Sequence, residues 1–69
     1  MATKYKIEIM PVMMRRYYET KESAIKNAKI LGEKYSAELG TSAKVYATIT
    51  KIEFLGKDIR STLIDEINF

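Results

Sequence analysis

One stretch of this chain reads as a helix without a competitor, and β-rich runs flank it on both sides. Thr20 is a good N-cap, followed by Lys21-Glu22-Ser23 and then strong helix formers. Ala24, Ala28, Leu31, Tyr35 and Leu39 recur at helical spacing on one stripe, with Ile25 and Gly32 at its border. Gly40 is placed to end the helix with a positive φ. The spacing therefore predicts a helix over residues 20–39. Its small residues Ala24, Ala28 and Gly32 would let it approach a sheet closely. The i,i+4 pairs Glu22–Lys26, Lys29–Glu33 and Lys34–Glu38 serve mainly solubility, since each is worth roughly 0.2–0.5 kcal/mol.

Before the helix, residues 4–10 alternate: Tyr5, Ile7 and Ile9 on one side, Lys4, Lys6 and Glu8 on the other. Period 2 of this kind is a half-buried strand. Pro11 lacks an amide hydrogen, so the strand should end, bend or lie at an edge there. Residues 12–18 are rich in β-branched, aromatic and Met side chains and predict a second strand.

After the helix, residues 43–54 form a long β-rich run, and Gly56-Lys57 suits a two-residue type II′ hairpin turn. That turn sets a register: Leu55 opposite Asp58, Phe54 opposite Ile59, Glu53 opposite Arg60, Thr50 opposite Leu63, Ile49 opposite Ile64, Tyr46 opposite Ile67. The competing reading of residues 58–67 is a short helix, with Ile59, Leu63 and Ile67 at i, i+4 and i+8. The preferred order is β-β-α-β-β, an α+β single domain over residues 1–69 with one helix on an antiparallel sheet.

The chain has 69 residues, with no Cys and no His. A domain of this length buries only about 60% of its unfolded surface. Small scaffolds usually rely on disulfides, a metal or a partner chain. Disulfides are impossible here, and a zinc site would need carboxylates alone. The staple left over is another protein surface. No cofactor and no small-molecule substrate are expected.

Catalysis lacks its usual parts: no His for general acid–base work, no Cys nucleophile, and isolated glycines instead of a phosphate loop. Asp65-Glu66 reads as a solvated end of an element, and Tyr17-Tyr18 lacks the supporting site of a tyrosine nucleophile. The expectation is a chain that is not an enzyme. The start MATKYKIEIM has no apolar core of a signal peptide, and no apolar run is long enough to span a bilayer. A cytoplasmic location is therefore expected. An abundance of Ile and Lys fits an AT-rich genome such as a phage, or a warm habitat.

The net charge of +3 is unevenly placed. Lys4, Lys6, Arg15 and Arg16 precede the helix against Glu8 and Glu19, whereas Asp58, Asp65 and Glu66 make the final segment acidic. Arg15-Arg16-Tyr17-Tyr18 is the most distinctive local feature. In a strand, Arg15 and Tyr17 share one face and Arg16 and Tyr18 the other, so either outward face shows an Arg beside a Tyr. That pairing suits protein interfaces and equally suits phosphate contact with base stacking. The plainer reading is an amphipathic strand with one Tyr in the core.

The proposed hairpin adds a second clue. One of its faces would hold Val45, Ala47, Ile49, Ile64 and Leu55, the other Tyr46, Ile52, Phe54, Ile59, Leu63 and Ile67. One helix covers one face, so the second apolar set needs another cover. These observations favour a small protein-interaction module: a homo-oligomer, an adaptor or a small inhibitor of a larger protein. Its candidate contact residues are Arg15, Arg16, Tyr17, Tyr18, Tyr46, Phe54 and Ile59. The alternative is a small basic nucleic-acid-binding domain in which Lys4, Lys6, Arg15, Arg16, Lys44 and Lys51 meet phosphates and Tyr18 or Tyr46 stacks on bases. Membrane-surface binding is disfavoured by the balanced charges on the polar side of the helix.

Overall fold

A computed structural model describes residues 2–69. The elements run β1 (Ala2–Met10), β2 (Met14–Tyr18), α1 (Lys21–Leu39), β3 (Tyr46–Leu55) and β4 (Asp58–Asn68). The strands form one antiparallel sheet in the order β2-β1-β3-β4, and α1 lies across one face of it, over β1, β3 and β2. This is the expected α+β arrangement, with residues 58–67 in a strand and not the alternative helix.

The caps of α1 follow from its sequence. Thr20 has extended backbone (φ −124°, ψ 152°), and its Oγ1 accepts from Ser23 N at 3.2 Å. Gly40 takes φ 59°, and its N–H donates to Ser36 O at 2.9 Å. Ala24, Ala28 and Gly32 are buried, so the small residues form the line of closest approach. Gly32 lies at its centre and not at its border, because the ring of Phe69 sits against it. A Cβ built on Gly32 would meet the Phe69 Cε2 and Cζ atoms at 2.1 Å. None of the three i,i+4 pairs closes into an ion pair among the described residues; Lys34 instead lies 5.6 Å from the centre of the Tyr35 ring.

The core consists of Ile7 and Ile9 from β1, Ala47 and Ile49 from β3, Val45 just before β3, and Ala24 and Ala28 from α1. The sheet residues among these are all odd-numbered and point to one side, as the alternation of β1 requires. Around them pack Tyr5, Met14, Tyr18, Ile25, Leu31 and Tyr35, among others.

Two expectations needed correction. Residues 12 and 13 belong to the turn, so β2 starts at Met14. No Gly is present there, and Met13 itself takes the positive φ (58°) that the reversal needs. The second correction is a β-bulge in β4. The Gly56 turn holds the expected pairs Leu55–Asp58 through Thr50–Leu63, but Ile49 then faces Asp65 and Tyr46 faces Asn68. The extra residue changes which side the following positions take. Ile64 and Ile67 both reach the core, and Phe69 joins them, its N–H donating to Val45 O at 3.0 Å. Ile67 is therefore not on the outer face, where an unbroken alternation would put it.

The turn itself has the expected form: Gly56 has φ 68°, and Lys57 has no positive φ. Beyond it the chain stands clear of the helix, and every residue from 56 to 63 is exposed. No helix among the described residues is long and apolar enough to cross a membrane.

Candidate functional site: the outer face of the sheet

The face of the sheet turned away from α1 is built from the even positions of β1 and β3 and their cross-strand partners. The register arranges it in rows across the strands. At the hairpin end, Ala2, Phe54 and Ile59 stand side by side. The next row holds Lys4, Ile52 and Ser61. The central row is Tyr17, Lys6, Thr50 and Leu63. Then come Arg15, Glu8, Thr48 and Glu66, and finally Met10, Tyr46 and Asn68.

The face divides lengthwise. Its β3 half carries Tyr46, Thr48, Thr50, Ile52 and Phe54, all uncharged, and β4 adds Ile59 and Leu63. Among the described residues no second layer lies over this side, so Ile59 is 65% exposed, Leu63 59% and Tyr17 57%. Tyr46 and Phe54 are also exposed.

Apart from Glu66 on β4, the charges of this face lie on the β1–β2 half, and they are arranged in opposed pairs. Lys4 Nζ pairs with Glu19 next to it. Glu8 lies between Lys6 Nζ at 3.0 Å and Arg15 at 3.5 Å. The hydrogen bond from Lys6 outweighs the opposing effect of burial and, with the Lys6 and Arg15 charges, holds the Glu8 carboxyl below the usual carboxylate range.

The structure separates the sequence-derived contact set. Arg15, Tyr17, Tyr46, Phe54 and Ile59 share the outer face. Arg16 and Tyr18 point to the helix side, where Tyr18 is half-buried against the core. Leu63 joins the outer face at its centre and belongs to the set. Its signal was available: the Gly56 turn fixes its place opposite Thr50. The cations of the nucleic-acid alternative are also divided. Lys4, Lys6 and Arg15 lie on the outer face beside carboxylates, Arg16 and Lys51 lie on the helix side, and Lys44 lies in the segment before β3.

Among the described residues there is no pocket and no group of three or more acidic side chains placed to share a metal ion. Compared with known protein families, with curated proteins and with solved structures, the chain has no match in any of the three.

Proposed function

We propose that this chain is a small, non-enzymatic protein-interaction module that binds through the outer face of its sheet. The observation that carries the reading is the uncovered apolar strip on β3 and β4, with Phe54 and Ile59 side by side at the hairpin end and Leu63 at the centre, and with Tyr17 and Arg15 on the same face at the far edge strand β2, across the charged residues of β1. Contiguous apolar area rimmed by polar groups is what protein interfaces present. Tyr and Phe would supply buried area, and Arg15 would supply directed hydrogen bonds. The nucleic-acid alternative draws less from the arrangement, because each outer-face cation already has a carboxylate neighbour.

The test is capture from a lysate of the source organism with nuclease present, comparing the wild-type chain with Ile59→Glu. Ile59 is exposed, so the substitution leaves the core intact. The reading requires bound protein, copies of the chain itself included, that survives nuclease and is lost with Ile59→Glu. Binding abolished by nuclease would put the nucleic-acid reading in its place. Equal capture by both chains would move the site off this face.

A further inference from the structure

We infer that the occupant of the outer face is a second copy of this chain, packed face to face about a two-fold axis that runs across the strands. This rests on the proposed interaction role and names its partner. The carrying observation is the charge pattern of β1 and β2. The row on one side of centre bears Lys4, and Glu19, one residue past the end of β2, pairs with it from the edge side, so the order from the sheet edge is Glu19 and then Lys4. The row on the other side bears Arg15 and Glu8 in the same order. A two-fold axis along the central row exchanges these two rows while keeping each strand over its own copy. Lys4 then meets Glu8 of the other copy, and Glu19 meets Arg15. Because the operation is symmetric, every such contact occurs twice.

The apolar groups follow the same operation. Leu63 and Tyr17 lie on the axis row and approach their own copies. Phe54 comes over the end of the face that carries Tyr46, and Ile59 over Asn68. Packed sheets cross at about −30°, which displaces the outermost rows by about 7 Å, roughly one and a half strand spacings, and the rows next to centre by about half of that. The Lys4–Glu8 contact therefore stays within reach of its long side chains. Lys6 opposes the arrangement, since two copies of it meet near the axis, each held by its own Glu8.

Two other ways of pairing fit less well. A two-fold axis along the strands would set Lys4 over Ile52 and leave Ile59 beyond β2, which ends at Tyr18. Edge pairing through β4 meets the bulge near Ile64 and the charges of Arg60, Asp65 and Glu66, which blunt that edge.

The available area is sufficient and modest. Strands of 9, 5, 10 and 11 residues, at about 3.4 Å per residue and 4.8 Å between strands, project roughly 570 Å² per copy. The pair buries about 1,100 Å², just above the roughly 1,000 Å² that specific interfaces clear. Dissociation in the micromolar range is expected.

Sedimentation equilibrium should find twice the 8.0 kDa chain mass at high protein concentration and the single mass on dilution. Leu63→Lys should give a monomer with unchanged circular dichroism, because it sets two lysines against each other at an exposed position. The decisive measurement uses two single variants. Lys4→Glu alone and Glu8→Lys alone each place like charges opposite one another and should weaken self-association about tenfold. In their equimolar mixture, a mixed pair sets the carboxylate introduced by Lys4→Glu against the ammonium introduced by Glu8→Lys. Its other contact is the native Lys4–Glu8 pair, so both contacts join opposite charges. The mixture should return to within about threefold of wild type. A mixture no tighter than the separate variants would overturn this arrangement. A wild-type chain that stays monomeric at several hundred micromolar would overturn the second copy as occupant. If the Ile59→Glu-sensitive capture of other proteins persists in that case, the interaction role stands without the dimer. If that capture fails too, both fall.

Discussion

Replacing Gly32 by Ala should reveal how the chain after β4 is locked onto the helix. In an open helix the change stabilises by about 0.8–1.0 kcal/mol, because Gly is the poorer helix former. Here the new Cβ would lie 2.1 Å from two Phe69 ring atoms and 2.7 Å from a third. The ring must leave, although the Phe69 backbone is held by its bond to Val45 O. Full burial of a Phe side chain is worth about 1.5–3 kcal/mol, so displacing a half-buried one costs about 1 kcal/mol. Gly32→Ala should thus be neutral or slightly destabilising in the wild-type chain. In a Phe69→Ala background the obstacle is gone, and the same change should stabilise by about 1 kcal/mol. The coupling between the two sites is then at least about 1 kcal/mol. Urea unfolding of all four chains by circular dichroism measures it, at one fixed concentration so that self-association contributes equally. A coupling below about 0.3 kcal/mol, the ordinary limit of additivity, would refute the reasoning.

Three further outcomes are expected. Glu8 has a depressed pKa in the folded chain, so its stabilising contribution is present above the unfolded carboxylate value of about 4.3 and is lost as pH falls through the folded value. Melting temperatures below about pH 4.3 should accordingly fall less steeply in Glu8→Gln than in wild type. Thr20→Ala removes the acceptor for Ser23 N and should cost about 1 kcal/mol in urea unfolding. Gly56→Ala forces a side chain into φ 68°, in open space, and should cost about 1–2 kcal/mol by strain alone. Because the helix does not cover that tip, the loss should appear first as faster hydrogen exchange of the amides nearest the turn.

The order of elements was legible because each boundary has a local cause. Thr20 and Gly40 bracket the helix by their capping chemistry, and Gly56 fixes a hairpin register by its backbone freedom. The outer apolar strip followed from that register for Phe54, Ile59 and Leu63. What escaped has non-local causes. The bulge near Ile64 is set by the demand of the core for Ile64, Ile67 and Phe69 together, and no residue there marks it. Gly32 looked peripheral because the ring that occupies its side comes from 37 positions later in the chain. The opposed charges of Lys4 with Glu19 and of Glu8 with Arg15 become visible only when β1 and β2 are laid side by side, since their register depends on the Met13 turn.

The bulge in β4 makes that strand unequal in its tolerance of genetic change. Most of its side chains are exposed, so point substitutions from 58 to 63 should spread widely among functional variants. Gain of a single codon just after Ile64 is a different event. It would add to the one-residue offset of the bulge, set Glu66 opposite Ala47 beneath the helix and expel Ile67 and Phe69 into solvent. A lengthened gene would thus encode a chain with every apolar residue still present and with its inside and outside exchanged along the final stretch of the sheet.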